Sequence, residues 1–326
     1  MTSAKEQAQA SVADLENARL SLHAELAIDY FELRSADSQS KLLAETIKAY
    51  TEALQLTQDR FEGGAAPQSD VTQARTQLDT ARVQQTDVGV MRAEYEHAIA
   101  ILTGKPPADL TLSPAVVTAE LPDIPVAVPS QLLERRPDIA AEERRMAAAN
   151  EQIGIAQAAF YPTVSLSAVA GFAGTSPLNW LTWPSRLWAV GPTLSQTLFD
   201  HGLRKANSEI AVDNYDAAVA AYRQSALNAF QEVEDNLAAL RELETEAQQQ
   251  HSATESADRS LELFETRYQG GVDTYLQVIT WQTAALQNAR NDIDIVRRRL
   301  EADVLLIKAL GGGWNVSNLP QVAALK

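Results

Sequence analysis

Between Leu203 and Tyr268 the chain has neither proline nor glycine, and apolar side chains recur at Tyr215, Val219, Tyr222, Ala226, Phe230, Val233, Leu237 and Leu240. Steps of three and four residues put these on one stripe of an α-helix. The stripe resumes at Ala257, Leu261, Phe264 and Tyr268 after the polar stretch ETEAQQQHSATES. At 1.5 Å per residue the spacing predicts a rod of roughly 100 Å, longer than an ordinary globular domain needs. The N-terminal part repeats the design. Leu15, Leu22, Leu26 and Tyr30 begin a stripe that Leu43, Ile47, Tyr50, Leu54 and Phe61 continue. Two more helices are expected, one from about Val71 to Leu102 and one from about Val278 to Leu310. Asp70 is placed to cap the first of them, its carboxylate accepting from exposed backbone N–H groups.

Two short stretches resemble each other: RFEGGAAPQSDV at 60–71 and RYQGGVDTYLQV at 267–278. Arg60 and Arg267 are 207 residues apart, and the same offset relates Gly104 to Gly311 at the far helix ends. Upstream, AIDYFEL (27–33) aligns best with LNAFQEV (227–233), an offset of 200. The copies thus differ by seven residues, two helical turns, a change that preserves a coiled-coil stripe. The chain reads as an internal duplication of a long helical hairpin, with each Gly-Gly turn at a hairpin end.

Between the repeats the pattern changes twice. The segment KPPADLTLSPAVVTAELPDIPVAVP (105–129) is too dense in proline for helix and is expected as an extended connector. A helix then starts near Pro137, a residue suited to a first helical turn. From Tyr161 the period becomes two. Val164, Leu166, Ala168, Ala170 and Phe172 share one strand face; Thr163, Ser165 and Ser167 share the other. In the second run Trp188, Val190, Leu194 and Leu198 oppose Ala189, Gly191, Thr193, Ser195 and Thr197. One apolar and one small polar face suit a sheet between lipid and a wet lumen. Trp180, Trp183 and Trp188 cluster at this hairpin, and indole rings favour the headgroup level. A hairpin packed on a soluble core would show the same alternation, but no globular core is evident for it. Strands of one hairpin cannot cross a bilayer alone, because their edges would leave backbone groups unpaired; several chains must close one barrel.

The expected organisation is therefore mainly α. An incomplete first-repeat hairpin covers 1–104, the connector 105–129 and a helix 130–160. A β-hairpin follows over 161–200, then the second-repeat hairpin over 201–311 and a tail over 312–326.

Composition narrows the function. The formal charge is −16, which disfavours nucleic acid as a partner. The basic clusters Arg135-Arg136, Arg144-Arg145 and Arg297 to Arg299 each have acids nearby, and read as solvated faces or inter-helix ion pairs. There is no cysteine, which excludes disulfides and thiolate chemistry within this chain. The four histidines, His23, His97, His201 and His251, are scattered without metal-ligand spacing. Glu142 and Glu143 are adjacent on a helix and so diverge, unlike a general acid–base pair. No phosphate-binding or nucleophile motif is present. Neither enzymatic activity nor a cofactor is expected.

The segment LLERRPDIAAEERRMAAANEQIGIAQAAFYPTVSL (132–166), together with RYQGGVDTYLQV and KALGGGW (308–314), resembles TolC-like outer-membrane factors. The similarity is to the lipoprotein channels of RND efflux systems (NodT type) and covers essentially the whole chain. It implies a homotrimer in the outer membrane of a Gram-negative bacterium, in contact with its lipid. A shared β-barrel would continue into a helical periplasmic tunnel whose tip meets a periplasmic adaptor and, through it, an inner-membrane pump. Substrates would leave passively. The family's signal peptide, acylated cysteine and first strand pair are missing, so the chain is expected to be an N-terminally truncated form. Three chains with one hairpin each would supply too few strands for the family's barrel.

The resemblance also marks the tip. Asp70 and Tyr268 match positions that link neighbouring hairpins, and Asp273 adds a carboxylate to the second turn. Gln277 and Thr280 stand where the family often carries aperture aspartates. Arg75 completes the tip set, and Gly63, Gly64, Gly270 and Gly271 form the turns that would meet the adaptor. Asp70→Ala or Tyr268→Phe is expected to loosen the closed tip, and the acidic balance suggests a cation-preferring lumen. Two alternatives remain: a periplasmic coiled-coil adaptor or structural rod, and the exit duct of a type I secretion system.

Overall fold

The computed structural model describes residues 2–116, 134–173 and 182–319. Helix α1 runs Thr2–Glu62 and α2 Gln68–Leu102; α3 is Pro137–Ala158. Strands β1 (Thr163–Phe172) and β2 (Arg186–Ser195) follow, then α4 (Leu203–Gln269) and α5 (Tyr275–Ala309). Single turns of 3-10 helix lie at Pro107–Asp109, Trp183–Ser185 and Val316–Asn318. No described helix is long and apolar enough to cross a membrane. The chain divides into two units, one of Met1–Asp14, Asp138–Ala226 and Ser317–Lys326, the other of Leu15–Pro137 and Leu227–Val316.

In the first unit the start of α1 lies against α3 through small residues. Ala10, Ala13, Ala140, Ala141 and Ala148 are buried, which lets two backbones approach closely. Polar groups fix the register: Ser3 Oγ donates to the Ala148 carbonyl at 3.1 Å and accepts from Gln152 Nε2 at 2.8 Å. Arg145 holds both carboxylate oxygens of Asp14 at 2.7 and 2.6 Å, and Arg144 reaches Glu6 at 3.2 Å. Of the two readings for this basic cluster, inter-helix ion pairing is the one observed.

The same unit carries the β-hairpin. β1 and β2 pair antiparallel with Val164 opposite Leu194, Ala168 opposite Val190 and Ala170 opposite Trp188. The even-numbered residues of both strands, Arg186 at the loop end excepted, therefore form one apolar face. Thr163, Ser165 and Ser167 meet Ser195, Thr193 and Gly191 on the other. Val169 and Leu187 break the polar character of that face at the far end of the hairpin. β2 also stops at Ser195, so Thr197 and Leu198 lie beyond the pairing rather than within it. The chain turns there into α4, where Asp200 accepts from the backbone N–H groups of Gly202 and Arg204. The side-chain hydrogen bond from Arg204, ahead of these backbone bonds, holds that carboxyl below its ordinary range.

In the second unit two helical hairpins, α1–α2 and α4–α5, bury narrow stripes. Tyr50 packs with Leu78 and Ala81; Ala36 and Leu43 pack with Val88. Val233, Leu306 and Ala309 form the corresponding cluster of the second hairpin. The buried line of α1 is Leu33, Ala36, Leu43, Tyr50 and Thr57. From Ala36 onward the steps are of seven residues, the period of a coiled-coil seam. Leu15, Leu22, Tyr30 and Phe61, assigned to the stripe by sequence, are 58%, 52%, 42% and 42% exposed. The straight three-and-four pattern drifts off the seam at both ends of the helix.

The connector begins as a pinned segment. Asp37, with its side chain only 2% exposed, accepts Arg34 at 2.8 Å, Arg92 at 2.7 Å and the Ala115 backbone N–H at 3.1 Å. Arg34 donates to the Ser113 carbonyl at 2.7 Å and Arg92 to the Leu112 carbonyl at 2.5 Å. Glu96 accepts the Leu112 N–H at 2.5 Å. Four charged side chains of α1 and α2 thus satisfy the backbone of residues 112–115. The rest of the connector, 117–129, lies outside the described residues.

Candidate functional site: the tip turns and the exposed hairpin

The two Gly-Gly turns have one geometry. In the first, the N–H groups of Gly63, Gly64 and Ala65 donate to the carbonyls of Asp59, Phe61 and Arg60. In the second, Gly270, Gly271 and Val272 donate to Thr266, Tyr268 and Arg267, each 207 positions on. Gly64 and Gly271 have φ of 74° and 75°, the left-handed conformation that ends a helix and that glycine alone adopts without penalty. The following helices start from extended residues, Pro67 (φ −79°, ψ 158°) and Thr274 (φ −88°, ψ 154°).

This start corrects the expectation for Asp70. α2 begins at Gln68, three residues before the apolar pattern suggests, and its N-cap Pro67 makes no side-chain capping bond. Asp70 falls in the first turn instead, half-buried, with Ser69 Oγ 3.3 Å from its Oδ1. A carboxylate there complements the positive helix end without capping it. Gln277, its counterpart by the offset of 207, is exposed, as is Thr280, whose hydroxyl donates to the Leu276 carbonyl at 2.9 Å. Arg75 is exposed on α2. Asp273 pairs with Arg267 across the second turn.

The residue that links the two turns is Arg60. Its Nη1 donates to the carbonyls of Tyr268 and Gln269 at 3.0 and 3.1 Å, and its guanidinium lies over the Tyr268 ring, 4.6 Å from the centroid. The Tyr268 ring in turn packs against Tyr275 at 5.2 Å, beside Ala74 and Val278. The Tyr268 hydroxyl has no hydrogen-bond partner. The link therefore runs through main-chain carbonyls and a ring face, and Tyr268→Phe leaves it intact within this chain. Burial pushes the Tyr275 hydroxyl well above the ordinary phenol range, helped by Tyr268, Tyr50 and the Asp70 charge, while a hydrogen bond with Thr57 opposes the shift. Tyr50, buried near Glu265, is pushed up to about 12.

Tyr268, Tyr275 and Asp70 are thus brought into one cluster, whereas Arg75, Gln277 and Thr280 stay on exposed helix surface. In the sequence Arg60 marks only the offset between the two copies. Its recurrence in both turns was the available signal, since a structural turn needs glycine and not arginine.

The hairpin presents a different surface. On its even face Val164, Leu166, Trp188, Val190 and Leu194 are 60–75% exposed. Trp183 is 74% exposed and carries the Arg186 guanidinium 3.8 Å from its ring centroid. Trp180 lies outside the described residues. Such a contiguous exposed apolar face marks a surface that something else covers. Among the described residues no group of histidine, cysteine or carboxylate side chains could hold a metal ion.

Comparison with known proteins gives the family. The outer membrane efflux protein family model matches residues 1–105 and 128–312. The toluene efflux pump outer membrane protein TtgF of Pseudomonas putida is 36% identical over 307 residues, 94% of this chain and 64% of TtgF. Outer membrane protein OprJ of Pseudomonas aeruginosa is 34% identical over 300 residues, 91% of this chain and 63% of OprJ. The chain thus spans somewhat less than two thirds of these curated relatives. Among solved structures, a membrane protein from Pseudomonas aeruginosa superposes with a TM-score of 0.91 at 33% identity, covering 97% of this chain and 71% of that one. The Campylobacter jejuni CmeC outer membrane channel gives a TM-score of 0.91 at 26% identity, over 98% and 68%. With this fold and these matches, the chain belongs to the outer membrane efflux protein family.

Proposed function

We propose that this chain forms part of the passive exit duct of a tripartite efflux system. Its β-hairpin enters an outer-membrane barrel built from several copies, and its helical hairpins line a periplasmic tunnel. The observation that carries the reading is the hairpin: ten-residue strands with one face of Val, Leu and Trp left open to the surroundings. Two strands alone are marginal in water, so lipid on that face and further strands at its edges complete the structure. The partners follow from this reading: two further copies of the chain, a periplasmic adaptor at the Gly-Gly turns and an inner-membrane RND pump. The test is expression of the full-length gene product. Recovery as a detergent-dependent oligomer that conducts ions in planar bilayers supports the duct. A soluble monomer that needs no detergent refutes it.

Two substitutions probe the two surfaces. Leu166→Arg puts a charge on the face assigned to lipid and is expected to cost about 2–4 kcal/mol of barrel stability at mid-membrane depth. Ser165→Arg, on the other face, is expected to be tolerated. The fraction of folded protein recovered from outer membranes reads the difference, and equal losses would reverse or remove the assignment of faces.

At the tip, Arg60→Ala removes both bonds to the Tyr268 and Gln269 carbonyls, loosening the contact between the turns. Single-channel conductance of the full-length protein is expected to rise. Unchanged conductance in Arg60→Ala and Asp70→Ala together would show that this cluster does not restrict the duct.

A further inference from the structure

The β-hairpin carries a single charge. From Tyr161 to Phe199 the sequence has no aspartate, glutamate, lysine or histidine, and Arg186 is its one arginine. In a chain of formal charge −16 this reverses the average, and no carboxylate of the hairpin can neutralise it. Arg186 opens β2 opposite Phe172, on the same even face as Trp188, Val190 and Leu194. The turn Trp183–Ser185, closed by the Ser185 N–H on the Thr182 carbonyl at 3.0 Å, brings the Trp183 ring to the guanidinium. The guanidinium carbon lies 3.8 Å from the ring centroid. Stacking uses the flat face of the guanidinium and leaves its in-plane N–H donors open. Among the described residues those donors have no hydrogen-bond or ion-pair partner.

The strand length sets the depth of this cation. The ten residues of β1, at about 3.4 Å each and tilted by about 40°, rise by roughly 25 Å. That is about the height of the outward apolar band of a membrane barrel. The Phe172–Arg186 pair therefore stands at one edge of the band, with Trp188 beside it at headgroup level. The opposite end of the hairpin joins α3 and α4, and no described helix is long and apolar enough to cross a membrane. With those helices in the periplasm, Arg186 faces the external leaflet. Strands of neighbouring copies would bond at the edges of the hairpin, in the plane of the sheet, whereas Arg186 lies on a face. A second copy of the hairpin brings no carboxylate either. What meets an outward face at this depth is lipid, and a guanidinium fork matches two oxygens of a phosphate.

We propose that Arg186, backed by Trp183, is a docking site for the phosphate of an anionic lipid headgroup in the external leaflet. The acyl chains of that lipid lie along Trp188, Val190 and Leu194, which are 60–73% exposed. The site rests on the export reading and names the lipid that its hairpin face takes.

The test is native mass spectrometry of the full-length gene product in detergent. The protein is incubated with lipid A, or with lipid A stripped of its phosphates, which keeps the acyl chains and removes the charge. One retained lipid A per chain is expected. The stripped form is expected to be retained about fivefold less well, as for the loss of one cation's pull at an anionic lipid surface. Arg186→Gln is expected to erase that preference, and Arg186→Lys to keep part of it, as a point charge without the fork. Arg82→Gln, which changes an exposed arginine on α2, is expected to behave as the parent does. Inorganic phosphate is expected to displace none of the retained lipid. A detergent-dependent oligomer that retains both lipids equally, or a parental preference in Arg186→Gln, overturns the lipid site and leaves the duct standing. Displacement by inorganic phosphate overturns it in favour of a free-anion site. Loss of the oligomer in Arg186→Gln overturns it in favour of a contact between strands. A soluble monomer that needs no detergent removes the export reading and the lipid site with it.

Discussion

Replacing Asp37 with alanine is expected to destabilise the protein by about 3–5 kcal/mol, the cost of breaking a buried charge network by removing one partner. Asp37 is the shared acceptor for Arg34, Arg92 and the Ala115 N–H, and its side chain is almost fully buried. Alanine leaves two guanidinium groups, 10% and 19% exposed, facing each other without the carboxylate between them. It also frees the backbone of residues 112–115 from one of its anchors. The denaturation midpoint of the variant checks the magnitude, and faster proteolytic cleavage near residues 112–116 checks the location. A midpoint within experimental scatter of the parent would mean that the network contributes no more than exposed surface pairs do. Asp79→Ala provides the comparison: that carboxylate pairs with Arg82 at 3.2 Å with both side chains more than half exposed, and a loss of at most about 1 kcal/mol is expected there.

Gly311→Ala is the second large effect. Gly311 ends α5 with φ of 90°, and a Cβ there would stand 2.0 Å from the Arg135 carbonyl oxygen and 2.7 Å from its carbon. Backbone cannot yield as a flexible side chain can. Left-handed strain of about 1–2 kcal/mol adds to an overpacking cost of about 1–3 kcal/mol. The repeat supplies its own control. Gly104, which is 207 residues earlier, has φ of 73° and nothing within 4 Å of the corresponding Cβ position. Gly104→Ala is therefore expected to show the strain alone. Chemical denaturation of both variants separates the two contributions, and equal losses would remove the clash with Arg135 from the account. The same sequence position in the two copies thus carries different weight because only the second copy is pressed against the segment entering α3.

Much of this architecture was legible as pattern. A three-and-four period without proline specifies helix, and the period of two over 163–172 and 186–195 specifies strands whose apolar sets meet in register. The duplicated RFEGG and RYQGG turns were legible because a left-handed helix end calls for glycine, and both second glycines adopt it. The offset even carries ion pairs. Asp37 and Arg92 become Glu244 and Arg299, and Arg299 pairs with Glu244 at 3.2 Å. What could not be read was weight. Arg34 with Asp37, and Arg92 with Glu96, look in sequence like ordinary pairs one helical turn apart on an exposed face. Only the connector lying over them makes them a buried clamp. Arg60 was legible as a recurring letter, but its partners are carbonyls 208 and 209 residues away, which no local pattern announces.

Local chemistry, then, determined the elements, the two turns and the hairpin's faces, because each depends on neighbours within a few residues. Tertiary structure decided which charges are buried, which of two equivalent glycines is crowded, and which side chains gather around Tyr268. Those properties depend on surfaces brought together across the duplication. Asp70 and Gln277 occupy equivalent positions, yet only Asp70 is charged, and packing across the duplication brings that charge near enough to Tyr275 to help raise its hydroxyl. Equivalence in sequence fixes a position on a helix; the packing partner fixes what the position does.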